Sequence, residues 1–476
     1  MSTAISMDKI ISLCKRRGFI FPGSEIYGGL ANTWDYGPLG SQLKKNLKDL
    51  WWKTFVEKRL DIVGLDSAIL MNPTVWEASG HVTSFSDPLM DCKKCKSRER
   101  ADKLVEQWGH DNESEEKPAN WAGEKTPPAD LLKFIQAKKI VCPICGACDW
   151  TEPKAFNLMF KTKQGVTEEG GKDIYLRPET AQGIFVNFKN VLDTSRKKLP
   201  FGIAQIGKAF RNEITPGNFT YRTREFEQME IEYFFDPEET SWEDLLKKWK
   251  DDGFDFVVNK LGVNEHLIRF RDHDPDELSH YSKGTTDIEF KFPFGWGELC
   301  AAGAYRTNYD LTQHEKFSGE KLTYLDPYTN KILTPHVIEP SYGADRLTLA
   351  VLLSAYNEES LEKDDAGKED IRIVMKFPRA LAPVTVAVLP LGNKLNEQAE
   401  TLAKDLLNNF RVDFDTSGSI GKRYRRQDEI GTPFCITYDF DTLEDQSVTI
   451  RDRDSMVQER IKISELSAYI SSKLAN

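Results

Sequence analysis

Between Phe210 and Phe234 the chain reads FRNEITPGNFTYRTREFEQMEIEYF, with three arginines and five glutamates on either side of the turn-like TPGN. Alternate residues of a β-strand share a face. In the first limb this places Gln205, Gly207, Ala209, Arg211 and Glu213 together, and the small residues at 207 and 209 leave room for a ligand. In the second limb Phe226, Gln228, Glu230 and Glu232 share a face, while Met229, Ile231 and Tyr233 turn to the core. Arg211, Glu213, Phe226 and Glu230 can then line one surface, with Arg222 and Arg224 supplied by the connecting loop. An aromatic can stack on a base, guanidiniums can pair with phosphates, and a carboxylate can accept from an exocyclic amine. Those are the parts of a nucleotide site. A solvated ladder of cross-strand ion pairs, each worth under about 1 kcal/mol, is the competing account.

A second stretch strengthens the nucleotide account. In HVIEPSYGADRLTLAVLLSAY, Val337, Glu339 and Ser341 share a strand face, and Gly343 opens a helix with Arg346 in its first turn. A helix N-terminus beside an arginine favours an anion. Neither a GxxxxGK[ST] loop nor a strand-borne GxGxxG occurs, so any nucleotide is held by other means. The cysteines form a third group. Cys92 and Cys95 make one CxxC, and Cys142 and Cys145 another, with Cys148 close behind. Four thiolates in two such pairs could hold a structural zinc ion, and idle thiols are the alternative. Cys14, Cys300 and Cys435 are scattered and read as core residues, and the seven histidines form no ligand cluster.

The elements that must carry these groups are legible from periodicity. Leu39, Leu43, Leu47, Leu50, Trp51, Phe55 and Val56 recur at helical intervals over 38–59, giving an apolar face for the core or for another subunit. A polar insertion around 103–139 lies between the cysteine pairs, β-like runs follow over 172–234, and 240–261 and 344–356 read as helices. The charged run 358–370 reads as a linker or exposed loop. After Pro383 strands alternate with helices over about 90 residues, the pattern of a separate small α/β domain, and the boundary is set near 380. Within it Lys422, Arg423, Arg425 and Arg426 could meet nucleic-acid phosphates or form a solvated helix end.

Composition limits the classes. The 476 residues suffice for two or three domains, and 39% hydrophobic with 29% charged residues is ordinary for a globular chain. A net charge of −11 argues against a DNA-coating protein, though local basic patches remain compatible with a nucleic-acid partner. The apolar runs are all too short for a membrane span, and the N-terminal stretch reads as a helix rather than a secretory signal. Eight cysteines in so long a chain do not make a disulfide scaffold, and a reducing cytoplasm is expected.

FRNE, a loop and REFEQMEIEYF together resemble motif 2 of the class II aminoacyl-tRNA synthetases; EPSYGADR resembles motif 3, and the helix from Pro38 with GLDSAILMNP resembles motif 1. More narrowly, ANTWDYGPLG, LRPETAQGIFVNF, GNFTYRTREFEQME and EPSYGADR resemble the dimeric, bacterial-like glycyl-tRNA synthetases over nearly the whole chain. The resemblance implies an α+β fold. Its catalytic domain, 1–380, is an antiparallel sheet flanked by helices with a Cys-flanked insertion at about 92–148, and an α/β anticodon-binding domain occupies 381–476. It implies a cytoplasmic homodimer that activates glycine with ATP and magnesium and passes it to tRNA-Gly. A non-catalytic nucleic-acid-binding relative, or a class II synthetase for another amino acid, stands as the alternative.

By resemblance, Arg211 is the catalytic residue, stabilising charge at the α-phosphate without a general base. Glu213 reads adenine, Phe226 stacks on it, and Arg222 and Arg346 hold the outer phosphates with Arg224 nearby. Asn212, Tyr221, Thr223, Glu225, Leu299, Gly343, Ala344 and Asp345 complete the ATP set, and Glu298 lies near ATP and its magnesium. Glu179, Glu230, Glu339 and Ser341 form a negatively charged cup for the glycine ammonium, too tight for a methyl group. Arg100, Phe226, Glu227, Gln228, Met229 and Gly343 complete the glycine set.

Overall fold

Met229, Ile231 and Tyr233, spaced by two along EFEQMEIEYF, are at most 4% exposed and lie in the largest hydrophobic core of the computed structural model. The structure describes residues 6–123, 126–165, 171–275, 278, 282–361 and 370–475. Seven strands make the central sheet: β1 (Ile62–Gly64), β2 (Phe201–Phe210), β3 (Glu225–Phe235), β4 (Ile268–Asp272), β5 (Gly284–Phe292), β6 (Gly295–Thr307) and β7 (His336–Gly343). Their order is β4-β5-β6-β7-β3-β2-β1. Every neighbouring pair is antiparallel except β1 with β2, which run parallel at the edge.

Each face of the sheet needs an apolar cover, and helices supply both. On one side the Pro38–Trp52 helix buries Leu43, Leu47 and Trp51, beside Trp249 of the Trp242–Phe254 helix and the largely apolar inner face of Ala344–Ala355. Core packing therefore accounts for the apolar stripe of the Pro38–Trp52 helix. Its start is set by Pro38 at the first helical position. Gly40 allows the close approach that follows, since a Cβ there would lie 1.8 Å from the Phe19 carbonyl oxygen. On the other side Ile184, Phe185 and Phe188 of the Ala181–Ser195 helix pack on Phe201, Ile203 and Phe234. That helix interrupts the region 172–234, where the sequence suggested strands. The aromatic and β-branched run GIFVNF carries strand propensity, but its apolar residues recur with helical period and the sheet face beneath settles the choice.

The region around residues 90–150 has a small core of its own, in which Met90, Leu104, Val105, Leu131, Ile135 and Trp150 pack together. Beyond the main sheet, Tyr356–Ser360 pairs antiparallel with Ile371–Met375, so the first residues of the expected 358–370 loop are strand. Residues 362–369 of that expectation lie outside the described residues. A second sheet follows with strands β8 (Val386–Pro390), β9 (Val412–Phe414), β10 (Phe434–Tyr438), β11 (Ser447–Asp452) and β12 (Gln458–Lys462), ordered β9-β8-β10-β11-β12. Its first two pairings are parallel and its last two antiparallel. Val388, Leu402, Ile436, Val448 and Leu466 form its separate core.

The seam between the Tyr356–Met375 ribbon and this second sheet is ionic. Arg372, 1% exposed, grips Asp428 through two nitrogens at 2.8 and 2.9 Å, and Arg451 reaches the same carboxylate at 2.9 Å. The basic run expected to meet nucleic acid is largely spent here. Arg423 is buried on the Pro390 carbonyl, Arg425 pairs with Asp370, and Arg426 pairs with Asp415, leaving Lys422 exposed. Asp428→Asn removes the shared counter-charge of two buried guanidiniums, a loss of about 3–5 kcal/mol. Scanning calorimetry is expected to show a clearly lowered transition for this variant, while substitution of exposed Lys422 leaves it unmoved.

Candidate functional site

Strand register builds the floor of the site. Glu230 on β3 faces Gln205 on β2 and Ser341 on β7, and Ser341 in turn faces Ala301 on β6. One step along, Glu232 and Glu339 lie between the Glu230–Ser341 and Tyr233–Ile338 pairs, and Glu339 stands opposite Ala304. Two small residues on β6 thus leave space beside a block of carboxylates. Oxygens of Glu230, Glu232 and Glu339 all lie within 4.8 Å of one another. Glu179 joins them from the turn before the Ala181–Ser195 helix.

Each carboxylate but one has a specific partner. Glu230 accepts from Ser341 at 2.9 Å and from Thr180. Glu339 accepts from Arg306 at 2.6 Å, and the remaining nitrogens of Arg306 grip Asp310 at 3.0 and 2.9 Å. Glu179 accepts from Gln182 at 3.0 Å and lies 3.4 Å from His81 Nε2. Burial alone would push Glu179 up, but His81, Arg306 and Gln182 outweigh it and hold the carboxyl well below the usual range. Glu232 is fully buried, and both its oxygens lack a hydrogen-bond partner among the described residues.

Ser341 also lines an adjoining cavity of about 130 Å³ whose walls include Arg211, Glu213, Arg222, Phe226, Glu298 and Arg346. Arg211 donates to the Pro178 carbonyl at 3.0 Å, and its guanidinium lies 5.3 Å from the ring centres of both Phe85 and Phe226. It reaches this place past the end of β2, where the chain has left the sheet, so alternation does not place it or Glu213. Arg346 lies over the Tyr221 ring at 4.5 Å and pairs with Glu298 at 3.0 Å. Arg222 approaches Glu213 at 3.5 Å, and Arg224 donates to the Glu213 carbonyl at 3.1 Å. Guanidiniums aimed into a cavity with a half-exposed carboxylate suit an anion carrying a hard cation. Arg346 keeps Glu298 ionised, and oxygen donors of this kind fit magnesium. Close behind, burial pushes Asp287 up to about 6 and Glu298 adds to it, against the hydrogen bond from His273 at 2.7 Å.

Thr223, Glu227, Gln228, Gly343 and Asp345 also line this cavity, but several residues named from the sequence have other partners or lie away from it. Met229, Leu299 and Ala344 are fully buried in the core on the far face, so only their backbone can approach a ligand. Glu227 and Asp345 are structural ions: Lys44 bridges them at 3.1 and 2.7 Å, Lys48 reaches Glu227 at 2.7 Å, and Tyr36 donates to Asp345 at 2.7 Å. Together they tie the Pro38–Trp52 helix to β3 and to the Ala344–Ala355 helix. Glu225 pairs with Lys208 on the surface, Thr223 donates to the Glu225 carbonyl at 2.8 Å, and Asn212 donates its backbone N–H to Leu158 at 2.7 Å. Gln228 is buried on the site face beside Gly343, its neighbour across β7. Arg100 divides its charge between Asp87 at 2.9 Å and Asp102 at 2.6 Å. Gly207 does not leave room for a ligand. Arg177 occupies that space, donating to the Lys208 carbonyl at 2.6 Å and to Ser67 at 2.9 Å. The sequence reasoning passed over Arg306, Asp310, Gln182 and His81, which orient the cup from separate elements and share no motif.

The two CxxC turns meet. Sγ atoms of Cys92 and Cys145, and of Cys95 and Cys142, are 3.6 Å apart, and one sulfur from each of the four lies within 4.8 Å of the others. A tetrahedron with metal–sulfur bonds of about 2.3 Å has edges near 3.8 Å, so the arrangement fits zinc. Hydrogen bonding to Ser97 brings the Cys95 thiol down to about 6, toward the thiolate a metal needs.

Comparison with known proteins bears on the whole chain. The tRNA synthetase class II core domain family (G, H, P, S and T) matches residues 160–356, and the anticodon binding domain family matches 385–473. The chain is 59% identical over 475 residues to a glycine–tRNA ligase of Alkaliphilus oremlandii, covering 100% of both. It is 59% identical over 476 residues to the enzyme of that name from Clostridium perfringens, again covering 100% of both. Against that of Clostridium acetobutylicum it is 60% identical over 471 residues, 98% of this chain and 99% of the relative.

A methyl group at position 207 would lie 2.1 Å from an Arg177 nitrogen. Gly207→Ala is therefore expected to displace that guanidinium and cost about 1–3 kcal/mol, read as a lowered denaturant midpoint.

Proposed function

The chain belongs to the glycine–tRNA ligase family of the class II synthetases, and we propose how its residues divide the reaction. The enzyme joins glycine to tRNA-Gly in two steps, through glycyl-adenylate made from ATP. We assign the ammonium of glycine to Glu179, Glu230 and Glu339 with Ser341, and ATP to the cavity walled by Arg211, Glu213, Arg222, Phe226 and Arg346. The single observation that carries this division is Ser341, which bonds Glu230 in the cup and also lines the guanidinium cavity. The two reactants would therefore meet at that residue, carboxylate toward phosphate.

The glycine carboxylate attacks the α-phosphorus, a carboxylate–phosphate bond forms, and pyrophosphate leaves with its electron pair. Arg211, fixed between two aromatic rings, faces the charge that builds on the α-phosphate oxygens. No general base is needed, because the nucleophile is already ionised. In the second step a hydroxyl of the terminal tRNA ribose attacks the glycyl carbonyl, an ester bond forms as the carbonyl–phosphate bond breaks, and AMP departs with that electron pair, its phosphate able to take the hydroxyl proton. Magnesium, when bound with ATP, neutralises phosphate charge, and Glu298 is the carboxylate that would hold it. A cup closed by Glu230, Glu339 and Ser341 excludes side chains by steric contact, the means by which the smallest amino acid can be selected.

The finer parts of the reading are an anticodon-binding domain over 381–476, a catalytic domain over 1–380, and a cytoplasmic homodimer. Ile26, Tyr27 and Leu30, exposed at 88%, 87% and 63%, offer apolar surface that a second copy could cover. Zinc would be held by Cys92, Cys95, Cys142 and Cys145, closing the insertion rather than taking part in the reaction.

Arg211→Ala is expected to lower glycine-dependent ATP–pyrophosphate exchange at least about a hundredfold, with unchanged circular dichroism. Wild-type exchange in that variant would remove Arg211 from its role. Metal analysis of the purified protein is expected to give about one zinc per chain, lost together with thermal stability in Cys95→Ser.

A further inference from the structure

Glu232 is the one carboxylate of the cup with nothing to neutralise it. It is 0% exposed, and neither oxygen has a hydrogen-bond partner among the described residues. One of its oxygens lies within 4.8 Å of one of Glu339, on the neighbouring strand, and like charges so close repel. The charged groups around it come from every neighbouring element. Glu230 is on its own strand, Glu339 on β7, Arg306 at the end of β6, Asp310 on the Tyr309–Ser318 helix, and Glu179 and His81 lie beyond. On the β2 side it faces the apolar Ile203. The one buried guanidinium among these, Arg306, is already shared by Asp310 and Glu339. An isolated buried carboxylate is costly enough that it takes up a proton instead.

We propose that Glu232 is a positioning residue held as the neutral carboxylic acid beneath the glycine cup, where its proton forms a hydrogen bond with Glu339 and fixes that carboxylate for the ammonium. This rests on the assignment of the cup to glycine. Burial, reinforced by Glu339, pushes the Glu232 carboxyl well above the ordinary range, in agreement with the geometry. The neutral acid removes one negative charge from the floor; burial, with Glu230 and Glu179, pushes Glu339 up as well, and the hydrogen bond from Arg306 at 2.6 Å makes Glu339 the member of the pair that ionises first. One oxygen of Glu339 then serves Arg306 and Glu232, and the other is left for substrate.

The sign of the pH effect follows. The native state keeps the Glu232 proton, whereas the unfolded chain releases it above about pH 4.3. Stability is therefore lost as pH rises above that value, toward the raised native pKa. Glu232→Gln keeps shape and a donor but abolishes the titration. Its melting temperature is expected to rise relative to wild type between pH 5 and pH 8. Infrared difference spectra at neutral pH are expected to show a protonated-carboxyl stretch in wild type that is absent from Glu232→Gln. In glycine-dependent exchange, Glu232→Gln should keep the KM for glycine within about twofold, while Glu232→Met, which lacks the donor, should raise it about tenfold with the KM for ATP unchanged. Three results overturn the proposal: no infrared difference, a melting-temperature gap that stays flat or reverses sign, or a Gln variant as impaired for glycine as the Met variant. Absence of glycine exchange in wild type would instead overturn the assignment of the cup, and the infrared and melting arms would still report the Glu232 proton.

Discussion

Negative charge packed into a buried pocket is the constraint around which the molecule is arranged. Two neighbouring strands bring Glu230, Glu232 and Glu339 within 4.8 Å, in a position where unmatched charge is costly. The structure meets that cost with hydroxyls from Thr180 and Ser341, a buried arginine from β6, and His81 and Gln182 against Glu179. Apart from Thr180 and Gln182, which share one helix start, each comes from a different segment. The cup is therefore a property of the assembled fold, and long-range packing of both sheet faces precedes it.

The adjoining guanidinium-lined cavity obeys the opposite logic. Its guanidiniums have weak or shared partners: Arg211 has a carbonyl and two rings, Arg222 a carboxylate at 3.5 Å, and Arg346 a half-exposed one. Buried arginines elsewhere, such as Arg372 and Arg306, are saturated by bidentate pairs. The contrast separates arginines that hold the protein together from those free to exchange partners for an incoming anion. It also explains why the basic run in the Ile420–Ile430 helix is a poor guide to nucleic-acid contact, since three of its four cations are spent internally.

Local periodicity made part of this legible. The alternation of EFEQMEIEYF gave the core face of β3 and its polar face, because a strand's geometry is fixed by its own residues. The helices over 38–52, 242–254 and 344–355 were visible for the same reason. Arg211 and Glu213 were grouped correctly with Phe226, though by a turn after β2 rather than by alternation. What escaped was set at a distance. Nothing local to Gly207 predicts that Arg177 fills the space above it, and nothing local to Glu227 or Asp345 predicts their bond to Lys44. The Ala181–Ser195 helix escaped because its aromatics suit a strand until the opposing sheet face is known.

The insertion between β1 and β2 leaves and rejoins the body at one narrow place. Cys92 bridges to Trp150, the Ser86–Asp91 strand pairs with Lys154–Asn157, and the two cysteine turns meet immediately above. A segment pinched in this way is a closed loop hung from a neck, and its ends stay fixed whatever lies between them. Closure entropy grows only as the logarithm of loop length, about 0.6 kcal/mol for each doubling. Residues could thus be added or removed beyond the neck at little thermodynamic cost, and the strain of such a change would stop at the four sulfurs. Length variation in this part of the chain is accordingly insulated from the geometry of the sheet, which makes the insertion the place where the enzyme can change size without retuning its chemistry.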